Sequence, residues 1–272
     1  MSASPLPPIL LVGGGKMGAA LLAGWREQGL PTAIVIDPSP EAQKLTAPGI
    51  NVYATPADIP HGFTPEAVIL AIKPQMAAAA LPSYAHFANS ALFVSIMAGK
   101  TLHAIAARLG AKAAIVRAMP NTPAAIRQSF TVAVPNHLVS AADQALATQL
   151  LAAAGELAWV ADEALLDPVT AISGGGPAYL FLLTELLEQT ALAQGIPAPL
   201  ARAMARQTII GSAALLAASD QDAATLREAV TSPAGTTERA LAVLRAEHAL
   251  PKLFQDAIEA ATQRSRELGA EK

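Results

Sequence analysis

The chain has 272 residues, 53% hydrophobic and 14% charged, with a net charge of −3 and no cysteine. That length allows one large domain or two modest ones around a substantial core, and the charge gives no footprint for nucleic acid or an anionic membrane. The missing thiols exclude disulfides, cysteine nucleophiles and thiolate metal sites, and the 5 scattered histidines lack helical pairing, so no metal is expected.

So few charges cover a monomer poorly, and part of the apolar surface is expected to meet another subunit. The opening M-S-A-S-P-L-P-P has no basic flank before an apolar core. The longest apolar stretch considered, Ile209–Ala218, is well short of the ~20 residues that span a bilayer. A soluble, cytoplasmic protein without membrane contact is expected.

In chain order, residues 1–161 alternate short β-type runs with helical segments. The strand candidates are Ile9–Val12, Ala33–Ile36, Ala67–Ala71, Leu92–Ile96, Ala114–Arg117, Ser129–Val134 and Leu157–Val160. Alanine- and leucine-rich segments of helical period, such as Met17–Gln28 and Ala142–Ala153, lie between them. This rhythm predicts a mostly parallel sheet with helices on its faces.

The first strand runs into V-G-G-G-K-M-G, in which Gly13, Gly15 and Gly18 fit G-x-G-x-x-G between strand and helix. Gly13 permits the turn, Gly15 lets the backbone approach a pyrophosphate, and Gly18 allows the helix to pack closely on the strand. The anion would sit on free N–H groups at the helix N-terminus. Asp37 ends the second strand, about 20 residues further on, where a carboxylate meets the adenine ribose and repels a 2′-phosphate. No arginine lies between Arg26 and Arg108 to clamp such a phosphate, leaving Ser39 and Lys44 as weak substitutes. Asp37 therefore favours NADH, with a plain cap before Pro38 as the alternative reading. Two later loops also follow strands: A-I-K-P-Q, with Lys73 held extended before Pro74, and M-P-N-T-P-A, with Asn121 and Thr122 as donors. Ligands collect at such strand ends.

Residues 162–272 carry no strand signal. Asp162–Ile172, Ala178–Gln194, Pro199–Ser219, Ala223–Val230, Thr237–Ala246 and Leu250–Leu268 all read as helices. The segment Y-L-F-L-L-T-E-L-L is apolar on every side, which predicts burial all round and hence a dimer. S-G-G-G-P-A-Y before it brings a backbone close either to a ligand or to a partner helix. T-S-P-A-G-T-T, residues 231–237, offers N–H groups of Ala234, Gly235, Thr236 and Thr237 at a helix entrance. It reads either as an anion site with Ser232 and Thr237 hydroxyls beside it, or as an ordinary cap among surface polar residues.

This ordered set of motifs, with A-Q-G-I-P between the last two, resembles the pyrroline-5-carboxylate reductase family from about residue 9 to residue 268. The resemblance implies an α/β, Rossmann-like dinucleotide-binding domain (1–161) and an all-helical dimerisation and substrate-binding domain (162–272). It implies reduction of the cyclic imine 1-pyrroline-5-carboxylate to L-proline with NADPH or NADH, the final step of proline biosynthesis. A homodimer, or a higher oligomer of dimers, follows from the same likeness. By position, Gly13, Gly15, Lys16 and Met17 match the cofactor loop, and Asn121 a nicotinamide-side position. The substrate carboxylate would rest on Gly235 and Thr236, with Ser232 nearby, Gly175 close to the active site, and the Thr237 hydroxyl at the ring nitrogen. The family often has Asn at Lys16, Ser at Gly175 and Gly at Ala234. A β-hydroxyacid dehydrogenase would need a lysine in the helical half, and none lies between Lys112 and Lys252. A reductase of another cyclic imine and a non-catalytic dinucleotide-sensing dimer are the alternatives.

Overall fold

In the computed structural model, which describes residues 5–270, an eight-stranded sheet carries the first part of the chain. Its strands are β1 (Ile9–Val12), β2 (Ala33–Ile36), β3 (Ile50–Tyr53), β4 (Ala67–Leu70), β5 (Leu92–Ser95), β6 (Ile115–Met119), β7 (Ser129–Pro135) and β8 (Gly155–Trp159). They lie in the order β3-β2-β1-β4-β5-β6-β7-β8, all neighbours parallel except the β6–β7 pair. After β1 the chain builds outward to β3, then returns to place β4 on the other side of β1. The crevice between the C-terminal ends of β1 and β4 is thus the switch point of the sheet, where ligands of such folds bind.

The helices between strands are α1 (Lys16–Glu27), α2 (Ala77–Ala80), α3 (Leu102–Leu109) and α4 (Ala141–Ala152). β1, β2, β4 and β5 are buried at every position, which is why they read as unbroken apolar runs. Alternate residues feed two cores. Ile9, Leu11, Val35, Ile69 and Val94 pack with Leu21, Leu22 and Trp25 of α1 and Leu150 of α4. Leu10, Val12, Ile34, Val68 and Phe93 pack with Leu81, Tyr84, Ile105 and Leu109 on the opposite face.

β3 was not expected from the sequence. Its I-N-V-Y carries one buried residue at an edge, between two proline-containing turns, so the apolar run that betrays the inner strands is absent.

The helical segments that follow are α5 (Leu166–Val169), α6 (Gly176–Ala193), α7 (Ala198–Ala217), α8 (Ala223–Ala229), α9 (Thr236–Leu244) and α10 (Leu250–Ala270). The single helix expected over 162–172 is instead a 3₁₀ turn (Glu163–Leu165), the short α5 and a π-helical turn (Thr170–Gly174). By contacts, the chain divides after Gly174 rather than at 161/162: residues to Gly174 and from Ala261 onward form one unit, and Gly175–Ala260 the other. The turn at Thr170–Gly174 groups with the sheet because a Cβ on Gly174 would lie 2.7 Å from Met119 Cε at the end of β6. The last turns of α10 group there too, with Ser265 donating to Asp167 (2.7 Å) and Leu268 against Gly99. In the helical unit α6 and α7 pack on each other, yet no residue of α6 is buried.

Trp25 ties the first core to α4. Its indole is fully buried and Nε1 donates to the Leu150 carbonyl at 2.7 Å, one of the last four carbonyls, which a helix cannot pair internally. Trp25→Phe should therefore cost about 1–3 kcal/mol, the typical penalty for a buried acceptor left alone. Urea denaturation measures it; a loss below about 0.5 kcal/mol, the range of inert surface changes, would show that this bond does not hold the helices together.

Candidate active site

Gly13 stands at φ +102°, and a Cβ there would meet the Ala71 carbonyl at 2.5 Å. The glycine thus lets the loop after β1 pass directly beside the loop after β4. Gly18 plays the packing part expected of it, since a Cβ would lie 2.1 Å from the Gly13 carbonyl oxygen. Around Gly15, by contrast, a Cβ would meet nothing within 4 Å. Gly15 is the N-cap of α1 in extended conformation, and no side chain caps the helix. The N–H groups of Lys16 and Met17, in the first turn, have no intrahelical acceptor. The Lys16 side chain is exposed, that of Met17 packs on the core, and the first turn holds no acid. An open approach, outward N–H groups and a positive helix end fit a pyrophosphate, so the residues present fit a dinucleotide.

Asp37 does more than end β2. Its Oδ2 accepts from the Gly14 N–H at 2.7 Å, and its Oδ1 accepts from the N–H (2.8 Å) and Oγ (2.6 Å) of Ser39. Burial pushes the carboxyl up, but the bonds from Ser39 and Gly14 together outweigh it and hold it below its usual value. Asp37 thus braces its own turn and the glycine loop, and Oδ2 keeps one lone pair free of these bonds. Lys73 is extended and exposed ahead of the 3₁₀ turn Pro74–Met76, as a residue before proline should be.

The loop after β6 is fastened at both ends. Asn121 caps the 3₁₀ turn Thr122–Ile126, which packs on α1. Its amide does not face open space: Nδ2 donates to the Ser173 carbonyl (3.2 Å) and Oγ (3.1 Å), and Oδ1 accepts from the Phe130 N–H (3.2 Å). The amide atoms of Asn121, the residue matched by resemblance to a nicotinamide-side position, are engaged within the chain. At the other end Arg127, at φ +62°, makes a two-pronged pair with Glu27 (2.9 and 2.7 Å) and donates to the carbonyls of Ala20 and Ala124. Buried Arg117 on β6 pairs with Glu163 (2.8 Å), whose same oxygen accepts from the Leu102 N–H at the start of α3. Arg117, Arg127, Glu163 and Ser173 escaped the sequence reading. The Arg117–Glu163 and Arg127–Glu27 pairs span 46 and 100 positions, whereas Ser173 stood inside a quoted motif.

The helical unit holds the remaining candidates. Gly235 is the N-cap of α9 in extended conformation, again without a side-chain cap. Ser232, Thr236 and Thr237 are exposed around it. Of the four N–H groups expected to be free, two are engaged: Gly235 donates to the Ser232 carbonyl (3.0 Å) and Ala234 to Glu238 Oε2 (2.9 Å). The N–H groups of Thr236 and Thr237, in the first turn of α9, have no intrahelical acceptor. Ala234 sits at φ +57°, left-handed backbone that glycine adopts freely and alanine at a cost of about 1 kcal/mol. Glu238 was legible, as an acid three residues after the N-cap. Gly175 has ordinary helical angles (φ −80°, ψ −23°) immediately before α6, so no unusual conformation demands glycine there.

The comparisons agree with this geometry. The family model for pyrroline-5-carboxylate reductase dimerisation matches residues 163–268, and that for coenzyme F420-dependent NADP oxidoreductases matches residues 8–99. The pyrroline-5-carboxylate reductase of Pseudomonas aeruginosa is 38% identical over 265 residues, 96% of this chain and 97% of that one. That of Haemophilus influenzae is 35% identical over 264 residues, with the same shares covered. Among solved structures, a pyrroline-5-carboxylate reductase from Coxiella burnetii superposes with a TM-score of 0.86 at 31% identity, covering 96% of this chain and 98% of that one. The Plasmodium falciparum pyrroline carboxylate reductase with NADP bound gives 0.84 at 26%, covering 98% and 100%.

The Asp37 bonds set a pH signature. A carboxyl whose folded pKa is depressed contributes stability that is full above its unfolded value, about 3.9, and lost as pH falls through the folded one. The stability difference between wild type and Asp37→Asn should therefore be constant from pH 7 to about 5 and shrink below about 4. Denaturant titrations across that range check it, and a gap unchanged down to acid would remove the ionised carboxylate from the loop's support.

Proposed function

The chain belongs to the pyrroline-5-carboxylate reductase family, and we propose how its residues divide the work of that reaction. It reduces 1-pyrroline-5-carboxylate to proline with NAD(P)H, which supplies the hydride. Gly13, Gly15, Lys16, Met17 and Gly18 form the pyrophosphate cradle, and Lys73–Pro74 and the loop capped by Asn121 flank it. The observation that carries this half is the uncapped N-terminus of α1 at the switch point, with open space above Gly15. Asp37, kept ionised by Ser39 and Gly14, receives a ribose hydroxyl and disfavours a 2′-phosphate, so NADH is the preferred donor.

For the imine, the Thr236 and Thr237 N–H groups hold the carboxylate, Ser232 lies beside it, and the Thr237 hydroxyl meets the ring nitrogen. A protonated imine is already electrophilic, so its carbon accepts hydride without a strong protein acid. The loop's task is orientation, which neutral donors perform. With pyrroline-5-carboxylate, oxidation of NADH faster than NADPH is expected by absorbance; no oxidation of either would overturn the assignment of this activity to the chain. Thr237→Ala should lower kcat/KM about five- to 150-fold, equivalent to about 1–3 kcal/mol. An unchanged value takes Thr237 out of the mechanism.

The active form is a cytoplasmic homodimer built through the helical unit. Phe181 is 70% exposed, Leu182 54%, Leu215 54% and Leu253 61%, an apolar surface far beyond what a stable monomer presents, within the segment matched by the dimerisation family. Among the described residues no helix is long and apolar enough to cross a membrane, so lipid does not cover this surface as a helical span. Sedimentation at micromolar concentration should give twice the 27.8 kDa chain mass, and a monomer would refute this arrangement.

A further inference from the structure

The hydrogen bonds of Asn121 form a closed set that the reductase reading does not use. β6 ends at Met119, paired with Val132, so the backbone of Phe130 lies beyond the ladder between these strands. Asn121 and Ser173 take the place of the missing strand. The Phe130 N–H donates to Asn121 Oδ1 (3.2 Å), the Phe130 carbonyl accepts from Ser173 Oγ (3.3 Å), and Asn121 Nδ2 donates to Ser173 Oγ (3.1 Å) and to its carbonyl (3.2 Å). The Asn121 N–H itself donates to Ser129 Oγ (3.1 Å). Ser173 belongs to the π-helical turn Thr170–Gly174, a backbone form that is rare and concentrated at functional sites. Gly174 of that turn lies against Met119, whose methyl would stand 2.7 Å from a Cβ there and would have to shift for any side chain.

We infer that Asn121 is a positioning residue for hydride transfer, acting through Ser173: it locks the loop that follows β6 to the π-helical turn and does not itself bind the cofactor. The inference rests on the reductase reading above. The 3₁₀ turn that Asn121 caps packs on α1, the helix whose N-terminus takes the pyrophosphate, and Arg127 fixes the far end of that turn to Glu27 of α1. Binding of the dinucleotide phosphates is thus secured without Asn121. What Asn121 adds is the registry of the loop backbone with the turn, and registry governs the chemical step more than affinity.

The experiment compares wild type, Asn121→Ala, Ser173→Ala and the double variant. It measures kcat with pyrroline-5-carboxylate, the dissociation constant of NADH and NADPH by fluorescence, and thermal stability. Asn121→Ala is expected to lose about 100-fold in kcat while the cofactor dissociation constants change less than about threefold. Ser173→Ala, whose carbonyl still accepts from Asn121, loses about threefold to tenfold, and the double variant is no worse than Asn121→Ala because the two act as one unit. Cofactor affinity falling in step with kcat, or losses that add in the double variant, would overturn the inference in favour of direct contact. Lowered melting with unchanged kcat would overturn it in favour of a purely structural bond. If Asn121→Ala does not fold, the same split between kcat and cofactor affinity is read from Ser173→Ala. An inert wild type sinks the reductase reading itself, whereas an active wild type with either adverse result sinks only the role of Asn121.

Discussion

Everything at the candidate site depends on backbone N–H groups that the fold leaves without partners. A helix begins with four such donors, and at three helices of this chain a side chain takes one of them: Thr101 caps α3, Ser140 caps α4 with an Asp143 return bond, and Asp222 caps α8. α1 and α9 have glycine N-caps in extended conformation and no side-chain cap. Glycine is a permitted cap that provides no oxygen. The donors at these two ends stay available to ligand oxygens, and every bracing contact around them serves to hold that arrangement open.

The bracing is asymmetric in a way that follows from topology. At the switch point the loops after β1 and β4 touch through Gly13 and the Ala71 carbonyl, so the crevice is defined by backbone alone. Further along the sheet the antiparallel β6–β7 pair ends early, and side chains take over: Asn121 and Ser173 complete the ladder, Arg127 grips α1, and Arg117 with Glu163 secures the middle of β6. Beside the glycine loop a carboxylate holds backbone in the same way. Asp37 is the example, with three donors on one carboxylate.

This division also decides what was legible beforehand. The inner strands announced themselves because burial on both faces writes an apolar run into the sequence, whereas β3, an edge strand with one buried residue, did not. The roles of Gly13 and Gly18 were legible because each follows from local geometry, and the open space above Gly15 agrees with its part. The bond of Asn121 to Ser173 was not legible, since a donor in a loop looks the same whether it meets a ligand or a side chain 52 positions on. The division of contacts after Gly174 was not legible for a related reason: helical period does not reveal that the Thr170–Gly174 turn leans on Met119. Long-range pairings such as Arg127 with Glu27 leave no periodic trace at all.

The two uncapped helix ends differ in charge, and the difference suits their ligands. The first turn of α1 has no acid and gains Lys16, which adds to the positive end of the helix. The first turn of α9 contains Glu238, whose carboxylate accepts from Ala234 N–H and helps hold that alanine in its left-handed conformation. The same carboxylate competes for the positive end of the helix with any anion that approaches it. A substrate carboxylate on this loop, as proposed, would be held less by net charge than by the directions of the Thr236 and Thr237 N–H groups and the neighbouring hydroxyls. Directed bonds of this kind fix an orientation rather than merely an affinity, and orientation is what hydride delivery to one face of a planar imine requires.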